Sequence, residues 1–136
     1  MALFLDTGFL IALELSGDHH HKSAATFWKN FSLASEPLVT TSYVIDETLT
    51  FFNSRGFHAK AVEIGDRLMS SRVVTVVHVD HALFREGFEF FRQHADKRYS
   101  LTDCISFAVM RKQTNKQALT FDRHFTQAGF EQIPLR

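Results

Sequence analysis

The chain has 136 residues, of which 45% are hydrophobic and 22% are charged. This length and composition are typical of a globular protein with one core, so we expect a single domain over residues 1–136. The 15 basic and 15 acidic side chains cancel, so no overall charge attracts the protein to nucleic acid or to a membrane. An RNA partner would have to be held by a local basic patch or through a metal ion.

Cysteine content and the N-terminus bear on the compartment. Cys104 is the only cysteine, which excludes an internal disulfide and suits a reducing environment. No apolar run approaches the ~20 residues of a membrane span. No basic segment precedes the N-terminal apolar run, unlike in a secretory signal. We therefore expect a cytoplasmic protein with no membrane partner.

Strand and helix patterns alternate along the chain. In order, they predict a strand within 1–7, helices over 8–15 and 20–33, a strand over 38–40, helices over 43–53 and 58–70, a strand over 73–79, helices over 80–94 and 100–115, a strand over 117–121, a short turn or helix to Gly129 and an edge strand over 130–133. This alternation predicts an α/β fold, in which a central parallel sheet of four to five strands lies between helices in a three-layer α/β/α sandwich.

Helical spacing also predicts which residues face the core. In the helix over 58–70 the inward residues would be Ala61, Ile64, Leu68 and Met69. In the helix over 80–94, which Asp80 can cap, they would be Leu83, Phe84, Phe88 and Phe91. Most of the 15 Phe residues are expected in the core.

Two of the predicted strands end in the same way, with an aspartate before a helical turn. Leu5-Asp6 ends the first strand and Phe121-Asp122 ends the fourth. In a parallel sheet both aspartates would lie at the same edge, outside the carboxyl ends of the strands, where open α/β sheets bind ligands.

Two helices add an acid each. Glu47 lies at the border of the inward arc of its helix, whereas its neighbour Asp46 falls on the solvent side. Asp103 opens a helix and shares its stripe with Phe107 and Met110, at i+4 and i+7, which directs its carboxylate inward.

The four acids, Asp6, Glu47, Asp103 and Asp122, could meet in one site. Four ionised carboxylates in a small space would push protons onto one another unless a cation joined them. Mg²⁺ or Mn²⁺ is the cation that carboxylate oxygens favour, and such an ion can activate water and stabilise a reacting phosphate. The pattern therefore predicts metal-assisted hydrolysis of a phosphodiester, with a carboxylate orienting the water.

Each acid also has a local interpretation that requires no metal. Asp6 could cap the helix after it, Asp122 could cap the turn that begins at Arg123, and Glu47 could be a solvated helix residue. The segment from Ser100 to Asp103 matches a capping box. These interpretations explain the acids singly, but they do not explain why two strands end alike and two helices each direct an acid inward.

Other side chains with possible chemistry receive structural interpretations. His19, His20 and His21 are consecutive and would splay apart on a helix, so we expect a polar entry to that helix, not a metal site. Cys104 is expected to be a small buried residue. Arg111, Lys112 and Lys116 are expected to form a solvated helix end, with a phosphate contact as the alternative.

Four sequence blocks resemble those of PIN domains, and most of all those of VapC-type toxin ribonucleases from toxin–antitoxin pairs. The blocks are Leu-Asp-Thr-Gly-Phe-Leu-Ile-Ala-Leu, Val-Ile-Asp-Glu-Thr, Ser-Leu-Thr-Asp-Cys-Ile-Ser-Phe-Ala-Val-Met and Leu-Thr-Phe-Asp-Arg-His-Phe. The resemblance covers essentially the whole chain. Gly8-Phe9 departs mildly from it, since smaller or aliphatic residues are common at these positions.

This resemblance implies a metal-dependent ribonuclease whose four acids fall on Asp6, Glu47, Asp103 and Asp122 and bind Mg²⁺ or Mn²⁺. It assigns supporting roles to Thr7 and to Ser100 or Thr102. It also implies an RNA substrate, an inhibitory antitoxin protein and a homodimer.

Three alternatives belong to other classes. Haloacid dehalogenase-type phosphatases require a second aspartate where this chain has Gly8. Response-regulator receivers require paired acids after the first strand, where only Asp6 stands. A non-catalytic PIN-like module that binds RNA or protein would be expected to lack an acid, and this chain has all four.

Overall fold

The computed structural model describes residues 2–31 and 36–135. The elements in chain order are β1 (Leu3–Leu5), α1 (Thr7–Glu14), α2 (His21–Phe31), β2 (Leu38–Thr41), α3 (Ser42–Ser54), α4 (His58–Ser70), β3 (Val74–Val77), α5 (His81–Gln93), α6 (Leu101–Lys112), β4 (Gln117–Leu119), α7 (His124–Gln127) and β5 (Glu131–Ile133). Every predicted element is present, although most strands are shorter than predicted. The predicted end of the second helix at Leu33 lies outside the described residues.

The five strands form one parallel sheet in the order β3-β2-β1-β4-β5. Helices α1 to α4 contact one another, and α5 to α7 form a second group. Right-handed crossovers place these two groups on opposite faces of the sheet. The predicted α/β/α sandwich with a parallel sheet is therefore confirmed, and both β3 and β5 are edge strands.

The strand order creates a switch point between β1 and β4. From β1 the chain moves outward to β2 and β3, and it then crosses back to place β4 on the other side of β1. Phe4 pairs with Ala118 and Leu5 with Leu119. At such a point adjacent crossovers leave in opposite directions and open a crevice at the carboxyl ends of the strands. Asp6, directly after β1, lies at this crevice.

Apolar side chains fill the space between the layers. All residues of β1 are buried, as its uninterrupted apolar sequence predicts. The core includes five fully buried phenylalanine rings, those of Phe4, Phe9, Phe52, Phe107 and Phe125. No helix within residues 2–31 and 36–135 has both the length and the apolar character to cross a bilayer.

The predicted inward face of α5 is confirmed for Leu83 and wrong for its three phenylalanines. Phe84, Phe88 and Phe91 are 38%, 40% and 43% exposed, whereas Leu83 and Gly87 are buried. The helix is rotated because α5 packs closely on α6 through Gly87, which has no side chain to hold the helices apart. Periodicity alone gave more weight to the large aromatic stripe than to a glycine.

A smaller error of the same kind occurs in α4. Met69, predicted to face the core, is 62% exposed, and Gly65 is buried in its place. The buried arc therefore centres on Ile64 and Leu68, one helical position away from the methionine.

We expect Gly87→Ala to destabilise the protein. A Cβ at this position would overlap Ile105 Cγ1 and would lie 3.1 Å from the Ile105 backbone nitrogen. Overpacking of this kind costs about 1–3 kcal/mol, which should exceed the helix propensity gain of at most ~1 kcal/mol for Ala over Gly. Urea unfolding measures the change.

Gly65→Ala is the matched control, because its Cβ would meet only the Leu49 side chain, at 3.1 Å from Cδ1. That leucine can rotate, so the loss of stability should be smaller. A Gly87→Ala variant as stable as the wild type would contradict the packing described for α5 and α6.

Candidate active site

Asp6 lies where β1 ends and α1 begins. Its backbone is extended at the N-cap position of α1, yet its side chain makes no capping hydrogen bond. The residue is only 5% exposed, and its Oδ2 accepts a hydrogen bond from Thr120 Oγ1 at 2.8 Å. Helix capping therefore does not explain why an aspartate is found at position 6. Its carboxylate lines a cleft at the carboxyl edge of the sheet.

Thr120 connects Asp6 to the end of β4. The Asp6 backbone N–H donates to the Leu119 carbonyl at 3.1 Å, which places Thr120 beside Asp6. The Thr120 hydroxyl also accepts a hydrogen bond from the Asp122 N–H at 3.0 Å. One buried hydroxyl thus positions the two aspartates that follow the two central strands.

Asp122 both caps the turn that follows it and contributes to the cleft. Its Oδ1 accepts from the His124 N–H at 2.9 Å, so it stabilises the turn into α7. Its side chain also lines the cleft with Asp6.

Asp103 likewise combines a cap with a place in the cleft. Ser100 Oγ accepts from the Asp103 N–H at 2.9 Å, and Asp103 Oδ2 accepts from the Ser100 N–H at 3.1 Å, which completes the predicted capping box. The carboxylate nevertheless reaches the cleft. The cap holds the side chain in one orientation, so the two interpretations of Asp103 do not compete.

Glu47 lies at the rim of the same cleft. It is exposed, and its Oε1 accepts a hydrogen bond from Thr7 Oγ1 at 2.8 Å. Asp46 is also exposed but does not line the cleft. The helical arc therefore identified which of these two acids points along the sheet edge.

Of the three supporting residues that the resemblance implied, Thr7 and Ser100 line the cleft. Thr102 does not line it, and its carbonyl oxygen accepts from Ser106 Oγ within α6. The four predicted acids and two of the three supporting residues are thus brought together.

Sequence reasoning missed His124. Its Nδ1 lies 3.1 Å from Asp103 Oδ2 and 3.4 Å from Asp122 Oδ1, and its ring packs edge-on against Tyr99. The imidazole therefore links the acid of α6 to the acid after β4. Its position two residues after Asp122, in a block already singled out, was a usable signal.

Burial and neighbouring charges raise the pKa values of two of the acids, Asp6 and Asp103. Burial and the neighbouring charge of Asp103 raise the pKa of Asp6 to about 7, although the Thr120 hydrogen bond opposes the increase. Burial and the charge of Asp122 also raise the pKa of Asp103, against the opposing contacts to Ser100 and His124. The surroundings of Asp6 and Asp103 thus disfavour the ionised forms of these two carboxylates.

The donor atoms suit a divalent cation. Within the described residues, a set of possible ligand atoms from Asp103, Asp122 and His124 lies within 4.8 Å of one another, and Asp6 shares their cleft. Carboxylate oxygens are the donors that Mg²⁺ and Mn²⁺ prefer. A cation here would also favour the ionised form of the buried Asp6 carboxylate.

The three consecutive histidines are separated in their roles, and two of them make packing or hydrogen-bond contacts within the fold. His19 is exposed, His20 stacks on Phe121 with ring centroids 4.3 Å apart, and His21 Nδ1 lies 2.8 Å from the Ala12 carbonyl oxygen. The rings thus help to join α2 to its neighbours. Cys104 is fully buried, as predicted, and burial raises the pKa of its thiol to about 11.

This chain belongs to the PIN domain family, whose model matches residues 3–131. It is similar to the 23S rRNA-specific endonuclease VapC20 of Mycobacterium tuberculosis, with 38% identity over 133 residues that cover 96% of this chain and 97% of the relative in strains CDC 1551 and H37Rv. A crystal structure of Mycobacterium tuberculosis VapC20, described as a sarcin–ricin loop cleaving toxin, matches with a TM-score of 0.84 and 37% identity. That match covers 95% of this chain and 96% of the solved one.

The raised pKa of Asp6 predicts how metal-free stability depends on pH. Between the ordinary value of 3.8 and about 7, the folded protein keeps a proton that the unfolded chain releases, so stability falls as pH rises through this window. Each pKa unit corresponds to ~1.4 kcal/mol. The loss is complete well above pH 7, where the carboxyl is ionised in both states, and it is then of the order of 4 kcal/mol.

In chelator-treated buffer, we expect Asp6→Asn to be more stable than the wild type at pH 8, because Asn remains neutral and can still accept from Thr120. At pH 4 the two proteins should differ little. Thermal unfolding across this range measures the difference, and a stability gain that does not depend on pH would contradict the pKa assigned to Asp6.

Proposed function

We propose that this chain is a metal-dependent endoribonuclease whose catalytic residues are Asp6, Glu47, Asp103 and Asp122, with Asp6, Asp103 and Asp122 as the ligands of the metal ion. The observation that carries the proposal is the convergence of these four carboxylates at the switch point of the sheet, with Asp6 and Asp103 buried. A binding module has no need for such a concentration of charge. The Mg²⁺ or Mn²⁺ ion would stabilise the charge of the reacting phosphate and activate water for its hydrolysis.

The positions of the residues in the cleft suggest which of them bind the metal ion and which orient the ligands. Asp6, Asp103 and Asp122 would hold the ion, since all three line the cleft and the charges of Asp103 and Asp122 act on the buried Asp6 carboxylate. Thr120 fixes the orientation of Asp6, and His124 fixes that of Asp103. These contacts orient the carboxylates in the protein without a bound ion.

Glu47 has a different setting from the other three acids. It is exposed at the rim, where Thr7 holds it by a 2.8 Å hydrogen bond. We therefore assign Glu47 to orienting the water that attacks the phosphorus in line, opposite the leaving ribose oxygen. Thr7 would act through Glu47 as a positioning residue.

The similarity to VapC20 supports a narrower assignment. We infer that the chain is the toxin of a VapBC-type toxin–antitoxin pair, with cytoplasmic RNA as its substrate and an antitoxin protein as its partner. The substrate to test first is a 23S rRNA fragment that contains the sarcin–ricin loop, since the names of both matched proteins refer to this RNA or to its cleavage.

Cleavage of that fragment tests the proposed function. Wild type should cut it with Mg²⁺ or Mn²⁺ and should lose activity in EDTA. Asp103→Asn should reduce the rate by about 10²–10³-fold, the usual effect of removing one group that stabilises transition-state charge. The asparagine can still accept from the Ser100 N–H, so the cap should survive and circular dichroism should show an intact fold.

Asp46→Asn and Glu47→Gln form a matched pair on neighbouring positions of α3. The first should leave cleavage unchanged and the second should reduce it. Equal effects of the two substitutions, or cleavage that persists in EDTA, would refute the four-acid site. Metal-independent RNA binding without cleavage would instead support the non-catalytic alternative.

We also propose that the protein forms a homodimer through the exposed aromatic face of α5, which consists of Phe84, Phe88 and Phe91. Charges of both signs flank this face, on Arg85, Glu86, Glu89 and Arg92. A two-fold contact of α5 with its copy would cover the rings and could pair opposite charges across the axis. Exposed apolar patches of this kind mark association surfaces.

Light scattering after size-exclusion chromatography tests the dimer. Wild type should have about twice the mass of the 15.6 kDa chain, and Phe88→Glu should be monomeric because it would bury a charge in the contact. Phe57→Glu is the control, since Phe57 is 49% exposed outside α5, and it should remain dimeric. A monomeric wild type would contradict the proposal.

A further inference from the structure

Arg98 is the one lysine or arginine that lines the cleft of four acids in the part of the chain that the structure describes. It belongs to the segment between α5 and α6, two residues before the Ser100 cap. It is exposed, and it forms no ion pair with any described residue although acids surround the cleft. Its charge is therefore available to a ligand.

The backbone of Arg98 is held in a costly conformation. Its φ is 60°, in the left-handed region that L residues seldom adopt. Such strain persists only where the surroundings enforce it, and it is concentrated at functional sites. Glycine or asparagine would occupy this position at lower cost, yet the chain has a long cationic side chain here.

The residues after Arg98 are fixed by packing. Tyr99 is 5% exposed, and its ring lies 5.2 Å from Phe107 and 5.3 Å from His124, centroid to centroid. Ser100 is bound in the capping box. The base of the Arg98 side chain is thus anchored to the same elements that position Asp103 and His124.

Binding of RNA to this acidic cleft requires a positively charged side chain in addition to any metal ion. The acids repel a nucleic-acid backbone, and the protein has a net charge of zero, so no overall field attracts RNA. A guanidinium presents a planar set of donors that matches two phosphate oxygens. Arg98 has both the charge and the location for this contact.

We propose that Arg98 binds a phosphate of the RNA strand as the strand enters the cleft, and so selects a polyanionic backbone in an otherwise acidic site. This inference rests on the proposed ribonuclease function. It assigns Arg98 to substrate binding, separately from the acids that would hold the metal ion.

Steady-state cleavage of the sarcin–ricin loop fragment at several salt concentrations tests the role. Arg98→Ala should raise KM by about 10- to 100-fold, the usual effect of losing a charge-assisted hydrogen bond, and should change kcat far less. The slope of log kcat/KM against log salt should become shallower by about 0.7–1, as one phosphate contact is lost. Arg98→Lys should recover part of the binding. Mn²⁺ affinity, measured by calorimetry, should be unchanged.

Arg98→Gly separates function from fold. It should lose RNA affinity as Arg98→Ala does, but its melting temperature should not fall, because glycine adopts φ 60° without strain. Arg72→Ala is the control for loss of a positive charge, since Arg72 is exposed before β3, away from the cleft, and its KM should match the wild type.

The outcomes distinguish the two proposals. A wild type that shows no metal-dependent cleavage refutes the ribonuclease function and this inference with it. A wild type that cleaves while Arg98→Ala keeps the same KM and salt slope refutes the role of Arg98 alone. An equal rise in KM for Arg72→Ala would also refute it, because the effect would then follow net charge and not position.

Discussion

The hydrogen bond from Thr120 to Asp6 joins the two strands at the centre of the sheet, β1 and β4, at the point where their crossovers diverge. It holds a buried carboxylate at the place where a parallel sheet opens a crevice. Within residues 2–31 and 36–135, this carboxylate is paired with a hydroxyl and not with a cationic side chain. The other polar groups of the cleft are arranged around this carboxylate.

The surrounding elements extend the same arrangement. Asp103 projects from the first turn of α6 and is held there by the Ser100 cap, while Asp122 stabilises the turn into α7 and His124 lies between them. Ordinary helix-terminus hydrogen bonds thus hold in place groups that repel one another. The energetic cost is visible in the raised pKa values of Asp6 and Asp103, and a bound cation would offset it.

Much of this site could be predicted from the sequence, because strand ends and helix faces are local properties. The apolar run before Asp6 and the matching one before Asp122 predicted two strands that end alike, and the helical arc distinguished Glu47 from Asp46. Parallel pairing then placed these acids at one edge without knowledge of the strand order.

What could not be predicted depends on tertiary contacts. Thr120 became recognisable only from the register of β4 against β1. The rotation of α5 follows from close packing of Gly87 on Ile105. The spacing of apolar residues along α5 carries no information about this contact with another helix. Periodicity therefore assigned Phe84, Phe88 and Phe91 to the core. The left-handed backbone of Arg98 likewise has no signal in residue type, since arginine is an unusual residue for that conformation.

The proposed function requires Asp6, Asp103 and Asp122 to form one cation site. Anomalous diffraction from crystals soaked in Mn²⁺ tests it most directly, with crystals of Asp6→Asn as the comparison. We expect an anomalous peak within bonding distance, ~2.0–2.3 Å, of oxygens from at least two of these three residues, and a weaker peak or none in the variant. A peak elsewhere, or a cleft that stays empty at saturating Mn²⁺, would contradict it.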